Sequence, residues 1–204
     1  MEMEKCPKCG KMHEGSCKEM DEKLTGNQHK IDADKASSSL LEIKDLNVLI
    51  GQFEIPMEIT EEVFSVAKKN GISTILNPAP AKIPTENLLK LTDWFVPNEV
   101  EFSNITGTDA YKDQNLIAYA NSISSNLIVT LGENGAALVT SETVTKIPAP
   151  KVNSIDTTGA GDAFVGAFAY GIASGKSPEE SISLGIAKAS DSVTRMGTQS
   201  SYRA

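Results

Sequence analysis

A chain of 204 residues with 40% apolar content can bury one substantial core, and a formal net charge of −8 argues against a nucleic-acid or anionic-membrane surface, which needs concentrated Lys and Arg. No apolar run is long enough to cross a bilayer, and the charged start Met1-Glu2-Met3-Glu4-Lys5 lacks the apolar core of a secretory signal, so the expected location is cytoplasmic. The three cysteines all precede Lys18; an odd number without a secretory signal does not read as a disulfide framework.

Cys6-Pro7-Lys8-Cys9 is a compact Cys-x-x-Cys turn, and His13 and Cys17 follow at spacings that let four ligands close around one tetrahedral Zn²⁺. The pattern resembles the zinc knuckles of retroelement capsid-type proteins, with the gaps on either side of His13 each one residue shorter than the commonest knuckle. The alternative is a reduced tail that does not fold, because acidic and Lys residues nearly balance here and apolar ones are few. Near-zero charge and a lack of aromatics offer a nucleic acid neither phosphate neutralisation nor stacking. The expected organisation is therefore a Cys/His tail over 1–31, a Ser-rich linker over 32–40, and one domain over 41–204.

Within that domain, short apolar runs at 46–50, 72–76, 94–96 and 127–131 read as buried strands, and 59–69 and 115–122 as crossover helices. This is α/β patterning. Residues 136–140 and 143–147, separated by Ser141-Glu142, suggest an antiparallel hairpin after the parallel set. Ser177-Pro178-Glu179-Glu180 supplies an N-cap, a Pro in the first helical position and a Glu three residues after the cap, so a last helix is expected through Ala189.

Three segments carry chemistry. Asn98 and Glu101 follow the third strand, where an open α/β sheet collects ligands, and by spacing alone they read as an N-cap and a first-turn carboxylate. Thr130-Leu131-Gly132-Glu133-Asn134-Gly135 is a strand-Gly-x-x-Gly loop, a common turn when taken by itself. Gly159-Ala160-Gly161 precedes the apolar run from Ala163 to Ala173, so backbone N–H groups at a helix start can hold an anion, with Asp162 at the rim as a proton acceptor.

The longer run Asp156-Thr157-Thr158-Gly159-Ala160-Gly161-Asp162-Ala163-Phe164-Val165-Gly166-Ala167 resembles the C-terminal signature of the ribokinase-like (phosphofructokinase-B) sugar kinases. The resemblance implies part of a doubly wound α/β sheet and ATP-dependent phosphorylation of a pentose, D-ribose to D-ribose 5-phosphate. It implies Asp162 as catalytic base, Gly159, Ala160 and Gly161 as anion hole, and Asn98 with Glu101 as the Mg²⁺ element. The segment from Thr130 to Gly135 becomes a nucleotide loop: Thr130, Leu131, Gly132, Glu133, Asn134 and Gly135, joined by Asn98, Gly161 and Asp162. Asp156, Thr158, Ser192, Arg195, Gly197 and Ser201 become the oxygen ligands of an activating monovalent cation, K⁺. One departure is Gly185-Ile186-Ala187-Lys188, where many members place Asn or His beside the adenine.

The resemblance covers 41–201 and corresponds to the C-terminal part of the family. The N-terminal part that carries most sugar-holding residues has no counterpart here. The expectation is a shortened kinase chain of weak activity, with an exposed edge at the strand beginning near Leu46 and with a separate chain as one source of the missing part. The alternative from another class is a non-catalytic nucleotide-binding or zinc-mediated interaction protein.

Overall fold

Period-two alternation along the strands sends neighbouring apolar side chains to opposite faces, and here both faces are covered. Leu76, Leu127, Val129, Ala137 and Val139 enter one buried cluster; Ile75, Ile128, Ala136 and Leu138 enter another. The computed structural model describes residues 32–202 and the backbone of two short strands, Glu4–Lys5 and Met12–His13, which pair antiparallel. Cys6, Cys9 and Cys17 lie outside the described residues, as does the side chain of His13, so the zinc expectation is not addressed by the structure.

The six-stranded sheet runs β1 (Val48–Gly51), β2 (Ser73–Leu76), β3 (Trp94–Phe95), β4 (Asn126–Thr130), β5 (Ala136–Val139) and β6 (Val144–Ile147), in that spatial order. The first four strands are parallel, with Val48 opposite Ser73, Ile75 opposite Trp94 and Trp94 opposite Asn126. The hairpin expected after them forms: β5 and β6 are antiparallel to their neighbours. Crossovers α2 (Met57–Lys69), α3 (Glu86–Lys90), α4 (Glu99–Thr106) and α5 (Asp113–Ala120) cover one face through Phe64, Leu88, Phe102 and Leu116. α6 (Ala160–Ala173) and α7 (Pro178–Ser192) cover the other.

These last two helices pack closely because glycines remove the intervening side chains. A Cβ on Gly171 would lie 2.6–2.9 Å from Ser181, and one on Gly185 would lie 2.8 Å from the Phe164 ring. α7 begins as its residues dictate: Ser177 accepts from the Glu180 N–H at 3.2 Å, and Glu180 accepts from the Ser177 N–H at 2.9 Å.

The stretch expected as a linker is helical instead. Asp32 caps α1 (Ala33–Glu42) by accepting from the Lys35 N–H at 3.1 Å, and Leu40 is buried with Ala67 and Ile72. A Ser run is a poor isolated helix, so docking of Leu40 on α2 decides the outcome. The expected edge is present: among the described residues β1 pairs only with β2, and Ile50 is 41% exposed. No helix among the described residues is long and apolar enough to cross a membrane.

Phe168 joins α6 to the sheet. It is fully buried, meets Trp94 edge to face with ring centroids 5.3 Å apart, and stacks on Phe164 at 6.3 Å. Phe168→Ala is expected to cost about 3–5 kcal/mol, read by urea unfolding through Trp94, the chain's single tryptophan. A loss below about 1 kcal/mol would mean that α6 is not anchored through this contact.

Candidate active site

The parallel strands bring their carboxyl ends to one rim. Gln52 follows β1, Asn77 follows β2, Asn98 lies just beyond β3, and Thr130 ends β4. The Thr130 N–H donates to the Pro97 carbonyl at 3.0 Å, which pairs Asn98 with Thr130 as an extension of the sheet. Asn77, Asn98, Glu101 and Thr130 share a cavity of about 140 Å³ with Gly159, Gly161 and Asp162.

Gly159 adopts φ 80°, a left-handed turn that starts α6, and a Cβ there would lie 2.5 Å from the Tyr202 hydroxyl. That hydroxyl donates to the Gly159 carbonyl at 2.8 Å. Burial, and secondarily the charge of Asp162, hold its pKa above the ordinary phenol value. Within the expected anion hole the Ala160 N–H turns back to the Thr157 carbonyl at 3.2 Å, while the Ala163 N–H takes the Gly159 carbonyl at 2.9 Å. The donors left at the helix start are the N–H groups of Gly161 and Asp162. Gly161 needs its small size for nothing in the fold: a Cβ there would meet no atom within 4 Å.

Asn98 and Glu101 form a reciprocal cap on α4. Glu101 donates its N–H to Asn98 Oδ1 at 2.7 Å, and its own Oε2 accepts from the Asn98 N–H at 2.8 Å. Burial raises the Glu101 pKa; the Asn98 hydrogen bond opposes this, and the charges of Glu99 and Asp162 add to it. The other carboxylate oxygen of Glu101 stands at the cavity wall, and no group of three His, Cys, Asp or Glu side chains that could by itself hold a metal ion occurs among the described residues.

The expected nucleotide loop is a 3-10 turn over Gly132–Asn134, closed by the Leu131 N–H on the Gly135 carbonyl at 2.8 Å. Its two glycines serve different ends. A Cβ on Gly135 would lie 2.0 Å from the Ile147 carbonyl, so that glycine answers to β6 rather than to a ligand; Gly132 faces open space beside Glu99. Leu131 is buried, whereas Glu133 and Asn134 are exposed. Gly185 is likewise required to be small by Phe164, whose ring a Cβ there would meet at 2.8 Å.

The expected cation ligands form two linked loops. Asp156 accepts from the Thr158 N–H and the Gly197 N–H, both at 2.9 Å, and the Thr158 side chain first, then these two bonds, hold its carboxyl below the ordinary range. Ser192 and Ser201 are buried. The Ser201 carbonyl is occupied by the Arg195 guanidinium, through Nε at 2.9 Å and Nη2 at 2.6 Å, and Arg195 also pairs with Asp191. The Ser201 hydroxyl in turn donates to the Thr198 carbonyl at 2.6 Å.

Sequence reasoning missed Gln52, assigned Asn77 no role, and overlooked Tyr202. The available signal was positional: two amide side chains stand at the carboxyl ends of adjacent parallel strands.

The raised Glu101 pKa has a testable sign. Its contribution to stability is fully present below the ordinary value of 4.5 and is lost as pH rises through the raised value. Glu101→Gln keeps the cap and removes the charge, so the variant is expected to resist urea better than wild type at pH 7, with the gap closing as pH falls toward 4.5. An equal gap at every pH would contradict the burial argument.

The family model for pfkB carbohydrate kinases matches residues 19–204, beginning ahead of the domain boundary expected at Leu41. A deoxyribokinase of Salmonella typhi is 37% identical over 177 residues, covering 84% of this chain and 56% of that protein. A ribokinase of Haemophilus influenzae is 37% identical over 164 residues, 78% of this chain and 54% of that one. The solved structure of Arabidopsis thaliana ribokinase with ribose and ATP superposes with a TM-score of 0.70 at 32% identity, covering 76% of this chain and 52% of that one. The chain thus spans about half the length of the curated relatives it matches. With its model matched over most of the sequence, the chain belongs to the pfkB family of carbohydrate kinases.

Proposed function

We propose that this chain transfers the γ-phosphoryl group of ATP to a hydroxyl of a pentose, with D-ribose as acceptor and D-ribose 5-phosphate as product. One observation carries the reading: the first turn of α6 presents Asp162 and the free N–H of Gly161 to the cavity that Asn98, Glu101 and Thr130 line. The names of the relatives support the acceptor class, deoxyribose included.

In this mechanism Asp162 accepts the proton of the attacking hydroxyl as the sugar oxygen bonds to the γ-phosphorus. The bond from the γ-phosphorus to the bridging oxygen breaks, and ADP leaves with that electron pair. The N–H groups of Gly161 and Asp162, at the positive end of the α6 dipole, donate to the phosphoryl oxygens where charge spreads. Thr130 offers its hydroxyl across the cavity. Glu101 would hold Mg²⁺ through water, and the ion would supply charge neutralisation on the phosphates. The joined loops of Asp156, Thr158, Ser192, Arg195, Gly197 and Ser201 would hold K⁺ and stiffen the approach to Gly159.

Asp162→Asn is expected to lower the transfer rate by about 10²–10⁴-fold with nucleotide affinity nearly intact, because an amide cannot accept the proton. Gly161→Val should leave stability near wild type, given the open space there, and weaken ATP binding. Nucleotide titration with single-turnover transfer separates the two effects. A wild-type rate in Asp162→Asn would end the assignment of the base.

Acceptor positioning supplies several kcal/mol of such a barrier. The chain by itself is therefore expected to release ribose-dependent ADP well below the roughly 1–100 per second of kinases. A rate inside that range would show that the residues present here suffice to hold the sugar. MgATP binding with no transfer would favour the reading as a non-catalytic nucleotide binder.

A further inference from the structure

Gln52 lies between the two ends of the sequence that make the site. Its Nε2 donates to Asn77 Oδ1 at 2.7 Å and to Asp162 Oδ1 at 3.1 Å, linking the first strand of the sheet to the helix that carries the base. Nothing in the sequence marks it: a lone Gln after a strand belongs to no motif.

The direction of this amide is dictated from behind. Asn77 is buried, and its Nδ2 donates to the Val96 carbonyl at 2.9 Å, so the atom it turns toward Gln52 is its oxygen. An oxygen there demands a donor, and only the NH₂ end of Gln52 can answer. The same NH₂ carries a second hydrogen, which reaches the Asp162 carboxylate. The backbone on either side of Gln52 is held as well: the Asn77 N–H donates to the Gly51 carbonyl at 3.0 Å, and the Phe53 N–H donates to the Ala79 carbonyl at 2.8 Å. Gly51 lets α2 approach closely, since a Cβ there would lie 2.8–2.9 Å from Thr60 and Phe64. Gln52 is thus fixed in place by the backbone and in orientation by Asn77.

We infer that Gln52 is a positioning residue for the base: it holds Asp162 Oδ1, so that the other carboxylate oxygen is the one offered to the incoming hydroxyl. The inference rests on the kinase reading given above. A carboxylate on the first turn of a helix, open to solvent, otherwise has several rotamers, and a hydrogen bond from a fixed amide selects one. The amide also adds no charge, so Asp162 keeps its capacity to accept a proton.

Two measurements test this on the full chain. In ¹⁵N-labelled protein, the side-chain NH₂ signals of Gln52 are expected to move as Asp162 takes up a proton in acid, and to stop moving in Asp162→Asn; signals unaffected by that substitution would overturn the contact. In single-turnover transfer with MgATP and ribose, Gln52→Leu is expected to slow transfer by about 10–100-fold with ATP affinity unchanged, since a misplaced group costs rate rather than nucleotide binding. Gln52→Glu puts a second carboxylate beside Asp162, so the acid limb of its pH–rate profile is expected to move to higher pH, and an unmoved limb would contradict the contact. Trp94 fluorescence checks that both variants fold. If Asp162→Asn abolishes transfer while Gln52→Leu retains the full rate, the positioning role fails and the kinase reading stands. If Asp162→Asn itself retains the rate, the kinase reading fails first. If transfer is too slow to follow in every variant, the Gln52 NH₂ signals still decide whether the amide holds Asp162.

Discussion

The left-handed turn at Gly159 determines where α6 starts, and the rest of the site depends on that starting point. One residue earlier or later, the free N–H groups and Asp162 would rotate by about 100° around the helix axis and leave the cavity. The turn tolerates no side chain, because Tyr202 closes over it and bonds its carbonyl. Asp156 pulls the preceding loop and the loop after α7 together through Thr158 and Gly197. The cradle is therefore held by Tyr202, beyond α7, as well as by its own turn.

Position also requires that α6 cannot slide, and close helix packing provides this. Gly171 and Gly185 bring α6 and α7 within reach of Ser181 and Phe164, while Phe164, Val165 and Phe168 enter the sheet-facing cluster. A loss in that cluster is felt at the first turn, since one helix carries both. At another wall of the cavity the reciprocal cap of Asn98 and Glu101 fixes the start of α4 by a different means, a side-chain acceptor on an orphan N–H, which the start of α6 lacks.

Where local chemistry and tertiary role coincide, the residues announced themselves. Ser177 to Glu180 carries every mark of a helix start, the short uninterrupted apolar runs read as strands covered on both faces, and Asn98 with Glu101 serves as cap and as cavity wall at once. Legibility failed where a residue answers to a partner far along the chain. α1 exists because Leu40 meets Ala67 and Ile72, a contact that a Ser-rich stretch does not advertise. Gly135 looked like a ligand-facing glycine and is instead required by the Ile147 carbonyl. Gln52 and Asp162 are joined across most of the chain, and no periodicity links them.

The central claim is that the first turn of α6 is an anion site addressed to a nucleotide. The most direct measurement is a titration of the ¹⁵N-labelled chain with MgATP, followed by backbone amide shifts. The largest downfield movements are expected at the Gly161 and Asp162 N–H groups, with smaller ones at Thr130 and Gly132. Binding that leaves the Gly161 and Asp162 amides unmoved, or that shifts only residues remote from the cavity, would contradict it.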